Sequence, residues 1–143
     1  EVHLLTRTID MGLWPTVNNA FVSGCLNQYD LFLKETKAKR TSFERIVHSL
    51  PYNYAGTLDG EYLLNDESYI LDIKTGSTIP RWTGLQLAAY DIADGATVLR
   101  KPKKRICLHL RPTGYRAMVY NRESDKYDYE KWLGIVKEHG DKL

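Results

Sequence analysis

Residues 57–74 place the strongest constraint on the fold, because two strand-like runs flank a single turn signal. The runs Thr57 to Leu63 and Ser68 to Lys74 are rich in aromatic and β-branched residues, and Asn65-Asp66 lies between them. A loop centred on Asn65-Asp66 pairs Leu63 with Ser68 and, four residues further along each run, Asp59 with Asp72. The pattern therefore predicts an antiparallel hairpin with one register.

This register gives the hairpin two different faces. Asp59 and Asp72 lie opposite each other, and Lys74 joins them because residues two apart on a strand share a face. We expect the other face to point into the core, and it carries Leu58, Tyr62, Tyr69, Leu71 and Ile73.

Two carboxylates in one cross-strand pair repel each other, so the pair requires a shared proton, a cationic partner or a bound divalent ion. The ion explains most, because oxygen ligands suit Mg²⁺ or Mn²⁺ and leave positions for water and a phosphate oxygen. Lys74 is suited to orienting that water or to stabilising charge on the phosphate. The alternative is a surface Asp–Lys cluster whose salt bridges contribute only ~0–1 kcal/mol.

Composition fits one domain over residues 1–143 and excludes few functions. Charged residues make up 27% and hydrophobic residues 43% of the 143 residues, and no apolar run approaches the ~20 residues of a membrane span. The net charge of +2 is compatible with DNA but too weak to argue for it alone. The chain begins at Glu1 without an initiator methionine, which suggests a fragment lacking an amino-terminal segment or a processed form.

Cys25 and Cys107 are isolated in the sequence, so we expect two reduced, buried thiols. Two cysteines cannot hold a four-cysteine iron–sulfur cluster. The amino terminus lacks the features of a secretory signal peptide. These observations predict an intracellular protein, with no membrane partner and with its oligomeric state left open.

The remaining periodicities predict a mixed α/β (α+β) fold. Helical spacing of apolar residues predicts four helices, over residues 1–12, 16–37, 82–93 and 127–139. In the first of these, Leu4, Leu5 and Ile9 lie on one side. Besides the hairpin, strand patterns predict three strands, over residues 42–50, 105–111 and 115–121. This order implies a central mixed β-sheet of about five strands flanked by helices.

Four short segments between residues 2 and 90 carry motifs that occur together in one family. They are Gly56-Thr57-Leu58-Asp59 (Gly-x-x-Asp), Asp72-Ile73-Lys74-Thr75 (Asp-x-Lys-Thr), Gln86 to Tyr90 (Gln-x-x-x-Tyr) and Val2-His3, which is similar to a helical histidine near the amino terminus. With these motifs in this order, the chain resembles the RecB-like exonuclease branch of the PD-(D/E)XK nuclease superfamily.

The resemblance implies a restriction-endonuclease-like core and a site for Mg²⁺ or Mn²⁺. Its ligands would be His3, Asp59, Asp72 and the backbone carbonyl of Ile73. Lys74 would be the catalytic lysine, with Gln86 in support. The alternative for His3 is an ordinary helix histidine near the start of the chain.

The implied function is a metal-dependent DNA nuclease, specifically an exonuclease of recombination, repair or phage DNA metabolism. The resemblance also implies a cytoplasmic protein of a bacterial or phage-infected cell. Two alternatives remain: a nuclease-like fold that binds DNA or a protein without cleaving it, and an unrelated α/β protein with a chance hairpin.

Further candidates concern how DNA would be held. A nuclease should present basic residues near its metal, and two basic groups are visible, Lys34 to Arg40 and Arg100 to Arg105; both are also compatible with solvated loops. The candidates for DNA contact are Arg81, Trp82, Tyr90, Lys101, Lys103 and Lys104. Glu44 is expected to contribute at most indirectly, and Glu61 is expected to be exposed.

Overall fold

Seven strands and four helices are present in a computed structural model that describes residues 2–98, 103–120 and 126–140. The strands are β1 (Lys39–Ser42), β2 (Arg45–Ser49), β3 (Tyr54–Leu58), β4 (Gly60–Leu64), β5 (Glu67–Lys74), β6 (Lys104–Arg111) and β7 (Gly114–Tyr120). The helices are α1 (Val2–Asp10), α2 (Ala20–Thr36), α3 (Thr83–Val98) and α4 (Lys126–Gly140).

The central sheet has five strands in the order β1-β4-β5-β6-β7. β5 and β6 run parallel, and the other neighbours are antiparallel. β2 and β3 form a separate two-stranded sheet. The predicted mixed α/β fold, with a five-stranded mixed sheet flanked by helices, is confirmed. Within the described ranges, none of the helices has the length and apolar character that crossing a membrane requires.

Each face of the sheet is buried against different helices. On one face, Tyr62, Leu71 and Ile73 pack with the apolar residues of α1 and α2. On the other face, Ile70 and Cys107 pack with residues of α3, β2 and β3. Cys25 belongs to the first cluster and Cys107 to the second, and both thiols are free and buried.

The predicted register of the hairpin is confirmed, but its first strand is not continuous. Leu63 pairs with Ser68, and the ladder ends where Gly60 pairs with Leu71. The chain then turns at Asp59, and β3 leaves to pair with β2. The prediction that Leu58 shares a face with Tyr62 is therefore wrong, because the break at Asp59 directs Leu58 into the cluster on the opposite face.

The predicted strand 42–50 is also two strands. Ser42 pairs with Glu61 in the central sheet, whereas Arg45 pairs with Leu58 in the small sheet. Phe43 and Glu44 lie in the break between β1 and β2. These two breaks face each other, and together they leave one end of β5 uncovered by β4.

Two helix predictions need correction. In α1, Val2 and Ile9 are buried with Thr6, whereas Leu4 is 57% exposed. α3 continues past Asp94-Gly95 to Val98. Asp94 lies within the helix rather than at its end, and its buried side chain forms an ion pair with Arg45 of β2. The other element boundaries agree with the sequence-based expectation to within a few residues.

Candidate active site

The candidate site lies where β4 separates from β5. The ladder between these strands ends at Leu71. Beyond that point the side chain of Asp59, rather than the backbone of β4, accepts a hydrogen bond from β5. Asp59 Oδ2 accepts a hydrogen bond from the backbone N–H of Ile73 at 2.9 Å. Because the N–H and C=O of one strand residue point to the same side, the Ile73 carbonyl lies on the same side of the strand as Asp59.

Asp72 is a buried carboxylate with too few hydrogen-bond donors. The residue is 5% exposed, and its Oδ2 accepts no well-oriented hydrogen bond from a described residue, although Lys74 Nζ lies 3.0 Å away. The pKa of Asp72 is raised from 3.8 to about 7, first by burial and then by the neighbouring Asp59 carboxylate, against the opposing effect of Lys74. The carboxylate is therefore in an environment that favours a proton or an added cation.

Lys74 is held from three sides. Its ammonium contacts Asp72, donates to Gln86 Oε1 at 3.1 Å and lies 4.9 Å from the centre of the Trp82 ring. Gln86 Nε2 in turn donates to the Tyr90 hydroxyl at 3.0 Å. Burial raises the pKa of Tyr90, so its phenol stays neutral near pH 7. Gln86 thus has the contact with Lys74 that a supporting role requires.

A close contact with Tyr90 explains why residue 56, three residues before Asp59, is a glycine. A Cβ at this position would lie 2.6 Å from Tyr90 Cε1, a distance that real contacts do not reach. The ring of Tyr90 therefore packs directly on the backbone of β3. This contact joins the Gly56–Asp59 segment to the Gln86–Tyr90 segment, which the sequence presents only as separate motifs.

His3 and Glu44 complete a cluster with Asp59. His3 Nε2 is 3.4 Å from Glu44 Oε1, and one ligand atom from each of the three residues lies within 4.8 Å of the others. The sequence assigned Glu44 at most an indirect contribution, and its role stays a prediction. Residue 44 lies in the break between β1 and β2, which brings its carboxylate into the same cluster as His3 and Asp59.

These donors fit a hard divalent cation. Asp59 belongs to the cluster with His3 and Glu44 and also interacts with the carboxylate of Asp72. It therefore connects the cluster to Asp72. Carboxylate and carbonyl oxygens are the ligands of Mg²⁺ and Mn²⁺, and an imidazole shifts the preference toward Mn²⁺. His3, Glu44 and Asp59 could hold such an ion together. Asp72 lies outside that cluster and interacts with Asp59, and the Ile73 carbonyl lies on the Asp59 side of β5.

The buried ion pair between Arg40 and Asp10 is joined to the backbone of Asp59. Arg40 Nη2 donates to the backbone carbonyl of Asp59 at 2.7 Å, and Nη1 donates to Asp10 Oδ2 at 2.9 Å. The hydroxyl of Tyr29 donates to Asp10 at 2.7 Å. The Arg40 side chain is 2% exposed, so it is not available to a phosphate as its place in a basic group suggested. It ties α1, which carries His3, to the turn at Asp59.

The predicted basic run lies away from this site. Lys104 pairs across the sheet with Tyr69, five residues before Lys74 and therefore about 16 Å along the strand. It forms an ion pair with Glu67 at 2.6 Å, and Lys103 forms one with Glu61. Arg105 is fully buried, and Arg100 and Lys101 are outside the described residues. The structure does not bring the described part of this run to the candidate metal ligands.

Glu61 was expected to be exposed, and this is wrong. The residue is 8% exposed and contacts both Arg45 and Lys103. β1 covers β4 at this point, with Ser42 paired to Glu61, and the two cations close over the carboxylate.

A different set of basic residues lies beside the site. Lys74 pairs with His109 of β6, which pairs with Arg116 of β7, so the three side chains form a row on one face of the sheet. Arg116 is exposed, as are Arg81 and Trp82 before α3. The sequence could not identify this row, because its members are distant in the chain and meet only through the register of three strands.

Comparisons with known proteins add little to this geometry. No family model matches the chain, and no curated protein matches it. Among the solved structures that match is one described as "Crystal structure of SSO0001", with 15% identity and a TM-score of 0.37. The match covers 78% of this chain and 56% of that chain, so this chain spans little more than half of that protein. A likeness this low carries no argument about function.

Proposed function

We propose that the protein is a divalent-metal-dependent DNA nuclease of the PD-(D/E)XK type, specifically an exonuclease acting in DNA recombination, repair or phage DNA metabolism. One observation carries the proposal: Asp59 and Asp72 meet at an uncovered strand end, with Lys74 in contact with Asp72. A cytoplasmic location belongs to the same proposal, since the substrate is DNA.

The ligand set assigns a role to each carboxylate. When bound, a divalent cation would supply an activated water and charge stabilisation at the phosphate. Asp59 and Asp72 would hold it from the sheet, while His3 and Glu44 would hold it from α1 and the break after β1. Arg40 keeps the Asp59 backbone in place through its bond to the carbonyl.

Lys74 is the residue best placed to act on the substrate. Its ammonium lies beside Asp72 and would face a phosphate held there, where a compact positive charge stabilises the developing negative charge. Gln86 and Tyr90 fix the lysine through two successive hydrogen bonds of 3.1 and 3.0 Å. These residues form the positioning part of the site, and they do not need to contact the reacting atoms.

A cleavage assay tests the proposal. Linear duplex DNA, linear single-stranded DNA and closed circular DNA are incubated with Mg²⁺, Mn²⁺ or EDTA, using the parent protein, Lys74→Ala and the matched control Lys104→Ala. We expect metal-dependent cleavage of linear DNA by the parent and by Lys104→Ala, with loss of cleavage in Lys74→Ala. Closed circles should survive exonuclease action.

The outcomes separate the alternatives. Cleavage of closed circles would replace the exonuclease assignment by an endonuclease. DNA binding by the parent protein without metal-dependent cleavage would overturn the enzyme proposal in favour of a binding module. Neither binding nor cleavage would support an unrelated α/β protein.

A further inference from the structure

An aromatic cavity of about 290 Å³ opens beside the candidate active site. Its walls include Tyr54, Trp82, Gln86, Tyr90 and Trp132. The volume is at the small end of the range for ligand sites, and an apolar lining with a few polar groups is typical of them. The roles assigned to Asp59, Asp72 and Lys74 do not use this cavity.

Part of the wall is fixed by contacts within the protein. The rings of Tyr54 and Trp132 meet edge to face with their centres 5.0 Å apart, and the Tyr54 hydroxyl donates to the Ala89 carbonyl at 2.7 Å. Trp82 differs from them, because it is 53% exposed. A large aromatic ring exposed at the mouth of an aromatic cavity is available to stack on a ligand.

The cavity and the candidate site share residues. Trp82 and Gln86 line the cavity, and both contact Lys74, with the ring centre 4.9 Å and the amide oxygen 3.1 Å from Nζ. A phosphate beside Lys74 would therefore place the neighbouring nucleotide at the mouth of the cavity. Gln86 and the Tyr90 hydroxyl are the polar groups that the edge of a base would meet there.

We propose that this cavity binds an unpaired nucleobase, so that the protein acts on single-stranded DNA or on a frayed single-stranded end. The inference rests on the proposed function, because that function places the phosphate beside Lys74. A base within a duplex has both faces stacked and its edge paired, and it cannot enter a concave aromatic site. Aromatic stacking tolerates any base, because every base has a π-face.

Binding measurements in EDTA test this site without cleavage. The probes are a fluorescein-labelled oligothymidylate of about 12 nucleotides, within the usual range of single-strand site sizes, and an abasic oligomer with the same number of phosphates. Stacking contributes roughly 1–3 kcal/mol per base, so Trp82→Ala should weaken binding of the oligothymidylate about 5- to 150-fold. Binding of the abasic oligomer should not change, and Trp82→Phe should retain most of the affinity.

Trp14→Ala is the matched control, because Trp14 is also 53% exposed but lies in the segment between α1 and α2. It should bind both oligomers as the parent does. Equal affinity of the parent for the two oligomers, or a blunt duplex that binds as tightly as the oligothymidylate, would overturn the inference. So would unchanged binding in Trp82→Ala.

The two proposals can fail separately. Metal-dependent cleavage without any preference for the oligothymidylate over the abasic oligomer would support the nuclease proposal and contradict the base-binding cavity. Base-dependent binding that requires Trp82, with no cleavage in any metal, would support the cavity and contradict the nuclease proposal.

Discussion

Two carboxylates are buried on the same face of the β4–β5 pair, Glu61 opposite Ile70 and Asp72 two residues further along β5, but their surroundings differ. Glu61 is 8% exposed and contacts two cations, Arg45 and Lys103. Asp72 is 5% exposed, contacts one cation, Lys74, and lies beside a second carboxylate, Asp59. The charge of Glu61 is neutralised within the protein, whereas the Asp59–Asp72 pair requires a proton or an added cation.

This difference shows why a list of charged residues does not locate a site. The run from Arg100 to Arg105 has the greater density of positive charge in the sequence, but its described members are paired or buried. A buried carboxylate pair with one lysine costs stability in the absence of a cation, because like charges in a poorly solvated site repel. Such a cost is expected where function requires it and not in a merely structural cluster.

The largest expected effect is on activity. Asp72→Asn keeps the size of the side chain but removes a candidate ligand charge, so we expect cleavage of linear DNA to fall roughly 100-fold or more. Glu61→Gln is the matched control, since it makes the same carboxylate-to-amide change on the same face. Its rate per folded molecule should stay within about twofold of the parent. Equal losses in the two variants would abolish the distinction between the two carboxylates.

The second effect is on stability and depends on pH. In EDTA, the folded protein keeps the Asp72 proton between pH 3.8 and about 7, whereas the unfolded chain has lost it. The folded state binds more protons in this window, so the contribution of Asp72 to the free energy of unfolding falls as pH rises through it. The groups that act on Asp72 are Asp59, which opposes its ionisation, and Lys74, which favours it.

Asp72→Asn has no such proton to lose. Its free energy of unfolding relative to the parent should therefore increase across this window and reach at most about 4 kcal/mol at pH 8. Urea unfolding followed by circular dichroism at several pH values measures the difference. Glu130→Gln, a change at an exposed carboxylate of α4, should give a difference that is small at every pH. A gain for Asp72→Asn that is independent of pH would contradict the explanation.

The third effect is on the stability contributed by Glu61, the neutralised carboxylate. Glu61→Gln leaves Arg45 and Lys103 without their shared carboxylate, and removing one partner from a buried ion pair costs about 3–5 kcal/mol. Urea unfolding should show this loss, and the double variant Glu61→Gln/Lys103→Gln should recover part of it. A loss below about 1 kcal/mol would mean that solvent screens the pair, as for surface ion pairs. The stabilities of Glu61→Gln and Asp72→Asn should thus change in opposite directions.

The sheet and part of the candidate site could be predicted from the sequence because they depend on local patterns. Hairpin register follows from alternation and a turn, which are local, so the Leu63–Ser68 pairing and the face of Asp72 and Lys74 could be predicted. Gln86 and Tyr90 could be placed together because residues four apart share a helix face. These contacts need only one or two adjacent elements.

The errors arise where three elements meet. β1 packs closely on the chain directly after the break at Asp59, since a Cβ at Gly60 would lie 2.9 Å from Arg40 Nε and 3.0 Å from the Ser42 carbonyl. The position of Glu44 depends on the matching break between β1 and β2. The buried Asp10–Arg40 pair joins residues that are 30 apart in the chain. No local pattern encodes these distances, and Arg40 therefore looked like one more surface cation.

The fourth effect tests whether the close contact between Gly56 and Tyr90 maintains the position of Lys74 in the candidate site. In Gly56→Ala the new Cβ would press on the Tyr90 ring, which is fixed on α3 and bonded to Gln86. Overpacking of this kind costs about 1–3 kcal/mol, and the displacement should reach Lys74 through Gln86. We expect cleavage to fall about 10-fold, because misplaced catalytic groups lose activity readily.

Gly134→Ala provides the control for this variant. A Cβ at Gly134 would meet nothing within 4 Å, and in α4 the change should stabilise the protein by about 0.5–1 kcal/mol. Its cleavage rate should match the parent. If Gly56→Ala kept full activity, the contact with Tyr90 would be irrelevant to the position of Lys74.

The smallest effect decides which end of the sheet contacts DNA. Arg116 lies two strands from Lys74 in the row through His109, about 10 Å away across the sheet, and it is exposed. Lys104 is exposed as well, but it is paired with Glu67 at the other end of β5. Arg116→Gln should therefore weaken DNA binding a few-fold and reduce the slope of log affinity against log salt by about 1, whereas Lys104→Gln should change neither. If the two results were exchanged, the DNA strand would cross the end of β5 that carries Glu67 and Lys104, and the raised pKa of Asp72 would need an explanation other than a DNA-cleaving site.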